Sequence, residues 1–374
     1  MRALRQLAVR TLIQGWPIMP QQHVLSIDDW PRIVGRVLVI AAVMSLLDRW
    51  AWQPNVQRCR ASNPTAYRCR VALFVYAHAV TSDPARISVT AKISAYYRKF
   101  SDIAFAAEVA TLIGADEAFA EIVREHALEP DKLTFYAPMF EARYKSITQL
   151  IGECGATQVL ELASGYSLRG LDLTQTSSLH YVETDLRDVV ATKLDLLEDV
   201  RRRHNIAPRP LHAVTAADVL DLGQLQTAAA GFDRGRPLVI LCEGLVGYLT
   251  REETGCLTRN VHSLLSEFTG GWWIVPDFAF KTEIRNLPPE RIRLREAITG
   301  VTQRQLDASA FEDGDDLAAF LHRVGFDMQV CSQVDKTTSF STIAALNLSP
   351  AVIERMRPVL RVWLMRLVAR TRHE

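Results

Sequence analysis

The stretch from Gln158 to Gly170, QVLELASGYSLRG, decides the fold. A short apolar strand over 158–162 runs into a turn of small residues, Ala163, Ser164 and Gly165, and the chain then becomes helical. In an open α/β sheet the ligand lies outside the carboxyl ends of the strands, where the strand order reverses. A glycine at that point lets it approach bare backbone. The turn is not G-x-G-x-x-G, the glycine pattern that cradles a pyrophosphate. With Glu161 inside the strand, it suits a cationic ligand that carries no phosphates. The bland alternative is a glycine that only eases entry into a helix.

About twenty residues further on, where such sheets place the acidic group that holds a ribose, the chain reads Tyr181, Val182, Glu183, Thr184, Asp185. A carboxylate ending a second strand over 179–184 can accept from both ribose hydroxyls. Asp185 is the first choice and Glu183 the second, set against a plain helix cap. Asp218 follows a third strand over 210–214, where it can accept from an adenine amino group or cap a turn. Glu243 follows LVILC, 238–242, an apolar run that reads as a central parallel strand. A charge placed straight after a buried strand needs a partner.

The rest of the chain agrees with an α/β; mainly parallel, doubly wound sheet carrying a helical cap. Helical patterns over 88–100, 104–113, 116–126 and 134–154 precede the first strand. Strands and helices then alternate through WWIV at 272–275, a helix over 317–324 and a strand over 326–330. A charged insertion over 280–308 is placed to act as a lid. Arg355 to Arg372 reads as an amphipathic packing helix.

Composition divides the chain at residue 86. Residues 1–80 hold ten Arg, no Lys and three Asp, a balance of +7 that leaves −6 for the remainder of a chain whose net charge is +1. The 1–86 segment is read as an accessory extension or an over-long start, set against an Arg-rich targeting peptide at its very beginning, and residues 87–374 as one domain. The near-neutral total gives no argument for nucleic-acid partners. The apolar run 37–47 is too short for a membrane span. Six cysteines lack CxxC spacing and no histidines cluster, so free thiols, no metal and a cytoplasmic setting are expected.

The segments ELASGYSLRGLDLT, HYVETDLRDVVATK, TAADVLDL and CEGLVGYLTREE, in that order, resemble the leucine carboxyl methyltransferase superfamily, in particular its bacterial branch associated with O-methylation of polyketide-like compounds. The upstream TAKISAYYRKFSDIAFAAEVA is similar to that family's leading helical segment, and the resemblance runs from about residue 88 to about 345. It implies a Rossmann-like class I methyltransferase using S-adenosyl-L-methionine, which carries a sulfonium and an ammonium. By the same resemblance Gly165 lies beneath the cofactor, Asp185 holds its ribose, Asp218 faces its adenine and Glu243 lines the methionine end. Arg143 serves the carboxylate, with Lys92 beside it. The chain departs from the family pattern at Arg187 and at Ser167-Leu168.

The resemblance implies a small-molecule hydroxyl or carboxylate as methyl acceptor. A hydroxyl calls for a general base, for which His180, His212 and Glu243 are candidates, though none stands out. Tyr96, Tyr97, Tyr136 and Tyr248 can wall an aromatic acceptor or simply pack. Alternatives are methylation of a protein's terminal carboxylate, a silent cofactor-binding protein and, on the same fold, an NAD-dependent oxidoreductase. The last lacks its phosphate-binding fingerprint. The oligomeric state is left open, a homo-oligomer included.

Overall fold

The computed structural model describes residues 84–368, apart from 303 and 307. The extension expected over 1–86, the apolar run 37–47, Cys59 and Cys69 fall outside these residues, save that the first described helix, α1 (Pro84–Arg98), spans the expected boundary. The described residues close into one unit.

Seven strands, β1 (Gln158–Leu162), β2 (His180–Asp185), β3 (His212–Ala216), β4 (Leu238–Cys242), β5 (Gly271–Val275), β6 (Phe326–Ser332) and β7 (Arg361–Leu367), form one sheet. The order is β3-β2-β1-β4-β5-β7-β6. The first five are parallel, and β7 runs antiparallel between β5 and β6. The strand order reverses between β1 and β4, which puts the ligand end of the sheet above the turn at Gly165.

Both faces of the sheet are covered, and the central strand β4 is apolar throughout. Leu160, Ile240 and Trp273 point to one face and pack on α8 (Arg251–Leu265) and α11 (Gly314–Val324). Val159, Leu241 and Ile274 point to the other, onto α4 (Tyr136–Glu153) through Ile147, Leu150 and Ile151. The two sets alternate along each strand, as the pleat requires.

The expected helical cap consists of α1, α2 (Ala106–Leu112), α3 (Ala115–Glu125) and α4. The expected insertion contains α9 (Lys281–Ile284) and α10 (Pro289–Thr302). Leu294 and Ala297 of α10 pack with Ile93 and Tyr97 of α1, so the insertion closes over the cap.

Two expectations are corrected. The third strand spans His212–Ala216 rather than 210–214, because the His212 N–H turns back onto the Arg209 carbonyl and pairing with β2 begins only at His212, opposite Tyr181. The basic tail expected as one helix over Arg355–Arg372 is a short helix, α13 (Ala351–Met356), followed by β7. The cause lies in Val362, Trp363, Leu364 and Met365, all buried between two strands. A short continuous apolar run suits a fully buried strand as well as a helix.

Candidate functional site

The turn after β1 is fixed by the strand beside it. The Gly165 N–H donates to Asp185 Oδ2 at 2.7 Å, and the Ser164 N–H donates to the Thr184 carbonyl at 2.9 Å. Gly165 has φ 52°, a left-handed conformation that glycine adopts without steric penalty. The other Asp185 oxygen accepts from the Leu186 N–H at 2.7 Å. Burial raises the Asp185 carboxyl, against the pull of these two N–H groups.

Beneath the turn lies a closed polar layer. Glu183 places one oxygen 2.7 Å from Lys193 of α6 (Arg187–His204) and the other 2.7 Å from His212. Lys193 also donates to Ser164 Oγ at 2.8 Å, so the small-residue turn is tied down from below. Gly170, in α5 (Arg169–Thr176), lies directly over this layer. A Cβ there would come within 2.8 Å of His212 Nε2 and 3.0 Å of the Glu183 carboxyl carbon. Glu183 is buried, and its two oxygens serve the turn's support.

Glu161 is committed in the same way. It accepts from Arg169 Nη1 and from the Tyr181 hydroxyl, both at 2.6 Å. Arg169 also reaches Glu243 Oε2 at 2.6 Å, and its guanidinium stacks 4.2 Å from the Tyr144 ring. Arg143 donates to Glu243 Oε1 at 3.1 Å and Arg98 lies 3.8 Å from that oxygen. Among these five groups three cations face two anions, leaving one positive charge over. Burial alone would raise the Glu243 carboxyl, but Arg169, Arg143 and Arg98 outweigh it and hold it down at about 2. Burial raises the Glu161 carboxyl, against the pull of Arg169.

The expected residues therefore divide. Gly165 and Asp185 are in direct contact, and Asp218 is tied to them through the Ala217 N–H, which donates to the Asp185 carbonyl at 2.9 Å. Asp218 itself accepts from the Leu220 N–H at 2.9 Å. Arg143 and Glu243 meet on the other side of β1. Lys92 lies on α1, partly exposed. Glu161 and Glu183 sit inside the polar layer that holds the frame.

The base candidates differ in position and partners. His180 starts β2, at the opposite end of that strand from Asp185, with its ring against Phe232. His212 is held by Glu183 and, at 3.1 Å, by Arg201. Glu243 is held by arginines. Of the tyrosines, Tyr96 stacks on Phe119 and Tyr97 on Phe140, inside the cap. Tyr248 is hydrogen-bonded to Thr90 of α1.

Sequence reasoning missed Arg98, Arg169, Lys193 and Asp277. Glu161, a carboxylate in an otherwise apolar strand, is the signal that a buried cation must exist. Asp277 follows WWIVP as Glu243 follows LVILC, a charge just past a buried strand. Its Oδ2 accepts from the Val246 N–H at 3.0 Å, while Oδ1 is buried without a hydrogen-bond partner among the described residues. Burial pushes Asp277 up to about 6, against the pull of Arg143 and of the Val246 and Gly244 N–H groups.

The described residues include no group of His, Cys, Asp or Glu able to hold a metal ion, and no helix long and apolar enough to cross a membrane. Four free cysteines, Cys154, Cys242, Cys256 and Cys331, are present among them.

Comparison with known proteins matches residues 111–262 to the family described as leucine carboxyl methyltransferase. A Mycobacterium ulcerans protein provisionally named an S-adenosyl-L-methionine-dependent methyltransferase is 30% identical over 153 residues, covering 41% of this chain and 47% of that protein. A protein of the same provisional name from Mycobacterium sp. (strain KMS) is 34% identical over 114 residues, 30% of this chain and 35% of its own. The chain thus spans about half the length or less of these relatives. Among solved structures, a DUF574-family protein from Streptomyces avermitilis aligns with TM-score 0.48 and 14% identity, covering 75% of this chain and 97% of that one.

Proposed function

We propose that the chain, whose residues 111–262 match the family described as leucine carboxyl methyltransferase, is an S-adenosyl-L-methionine-dependent methyltransferase acting on an oxygen of a small, polyketide-like molecule. The observation that carries this reading is the 2.7 Å bond from the Gly165 N–H to Asp185, which sets a bare turn against a carboxylate at the switch point of the sheet. On this reading the donor's nucleoside lies there with its ribose toward Asp185 and its base toward Asp218. The amino-acid end of the donor carries a carboxylate as well as an ammonium. Arg143, the partly exposed arginine of the cluster, is the group that can reach that carboxylate. Bound S-adenosyl-L-methionine supplies a methyl group on a sulfonium. The protein supplies alignment, which makes the transfer effectively intramolecular. Glu161 and Glu183 act as supports of the turn, and Lys92 is assigned to the cofactor carboxylate beside Arg143. The free cysteines are in keeping with a cytoplasmic setting.

A thermal-shift titration with S-adenosyl-L-methionine, S-adenosylhomocysteine and NAD tests the reading. Ligands that bind only the native state stabilise it by mass action, about 2.7 kcal/mol at a hundredfold excess over Kd. The two sulfur nucleosides are expected to raise the melting temperature and NAD to leave it unchanged. A shift with NAD alone, or with none of the three, overturns the proposal.

A further inference from the structure

The three base candidates and Asp277 differ in their bonding. His180 lies at the wrong end of β2, and His212 is bonded through both ring nitrogens. Glu243 is gripped by arginines that keep it ionised far below neutrality, so it has little tendency to take up a proton. Asp277 differs from all of them. It stands directly after β5, at the ligand end of the sheet. One oxygen is anchored to the Val246 N–H, in the loop after β4, at 3.0 Å, and the other is buried with no hydrogen-bond partner among the described residues. Buried polar atoms in folded proteins are nearly always paired, and the exceptions call for an explanation.

We propose that Asp277 is the catalytic proton acceptor, and that the methyl acceptor is therefore a phenolic or enolic hydroxyl rather than a carboxylate. This rests on the methyl-transfer reading above. An acceptor O–H gives Oδ1 the donor it lacks. A carboxylate acceptor would instead bring a second anion against Asp277 in the same desolvated space, and like charges so placed oppose each other's ionisation. In the step, the acceptor O–H proton passes to Asp277 Oδ1 while an oxygen lone pair forms the bond to the methyl carbon. The carbon–sulfur bond breaks with its electron pair on sulfur. The products are a methyl ether, the neutral thioether S-adenosylhomocysteine and a protonated Asp277, which returns its proton to solvent on product release.

The groups that set the ionisation of Asp277 come from each neighbouring element. They are Arg143 of α4, Glu243 in the loop after β4, Cys242 of β4 and Tyr248. Arg143 favours its ionised form, and burial and Glu243 oppose it, so Asp277 takes up a proton closer to neutrality than an ordinary carboxyl does.

The test uses the full-length chain and Asp277→Asn, methyl-labelled S-adenosyl-L-methionine, and two matched panels. One holds naphthols and hydroxyanthraquinones, the other the corresponding carboxylic acids. The expected result is base-stable ether from the phenols. Transfer by Asp277→Asn should fall about a hundredfold or more, while its S-adenosylhomocysteine affinity by calorimetry stays within about twofold. A second readout does not depend on activity. The infrared band of a protonated carboxyl, assigned by its absence in the variant, should appear as pH falls through about 6 and shift when 2-naphthol is added. Base-labile ester as the product, transfer to no phenol, or full activity in the variant overturns the proposal. If Asp277→Asn does not fold, the wild-type band decides, and appearance only in the ordinary carboxyl range overturns it. Failure of the wild type to bind S-adenosylhomocysteine refutes the methyl-transfer reading itself; binding with any of the other failures refutes only the role of Asp277.

Discussion

Gly165 holds φ 52° with its N–H on Asp185, and a Cβ there would lie 3.6 Å from Ala91 Cβ, ordinary contact. Asp tolerates left-handed backbone better than most residues, so Gly165→Asp is expected to fold. Its carboxylate would occupy the approach to the turn and face Asp185. Loss of measurable S-adenosylhomocysteine binding in calorimetry, at a melting temperature within a few degrees of wild type, is the expected outcome; unchanged affinity would remove Gly165 from the site. Single residues were also where the sequence was hardest to read. Glu161 and Glu183 resemble ligand groups as much as Asp185 does, because each is an acid at or near a strand end. Only the positions of Arg169 and Lys193, on helices that follow in the chain, show them to be occupied. No local signal carries that information, since it depends on how a helix lies across the sheet.

At the scale of elements, β4 and β5 were legible because parallel central strands are apolar on both faces, and LVILC and WWIV can hardly be placed elsewhere. The tail was not legible for a related reason. Arg361 and Arg366 frame a short continuous apolar run that suits a helix as well as a strand, and nothing local says that β5 and β6 leave a slot for a strand between them. Trp363 fills that slot with its ring against Phe278 and Phe280, at centroid distances of 5.4 and 5.9 Å. Trp363→Ala should therefore destabilise the fold by about 3–5 kcal/mol, the usual range for removing a buried aromatic side chain. The partly exposed Trp272 serves as the control, and its replacement should cost clearly less. Urea denaturation of both variants checks this, and equal losses would contradict the buried position of β7.

For the whole molecule, the dependence of stability on pH follows from the buried ionic layer. Glu243 ionises at about 2 in the folded chain against an ordinary 4.5. A lowered carboxyl contributes stability that is fully present above the ordinary value and is lost as pH falls through the folded one. The difference corresponds to about 3 kcal/mol. Acid unfolding should accordingly steepen between pH 4.5 and 2. Glu243→Gln should be less stable than wild type at pH 7 by about that amount, with the gap closing toward pH 2. Urea midpoints at several pH values measure this, and a gap independent of pH would show that Glu243 is not ionised in the folded chain.

The antiparallel strand between β5 and β6 also bears on synthesis. About 85 residues separate Val275 from Arg361, so at about 5–20 residues per second the nascent chain waits roughly 4–17 seconds between making β5 and making the strand that covers its edge. During that interval GWWIV presents unpaired backbone and two tryptophans to whatever surrounds the ribosome. Expression yield should then depend on chaperone supply and on translation speed across residues 276–360 more than on the stability of the finished fold.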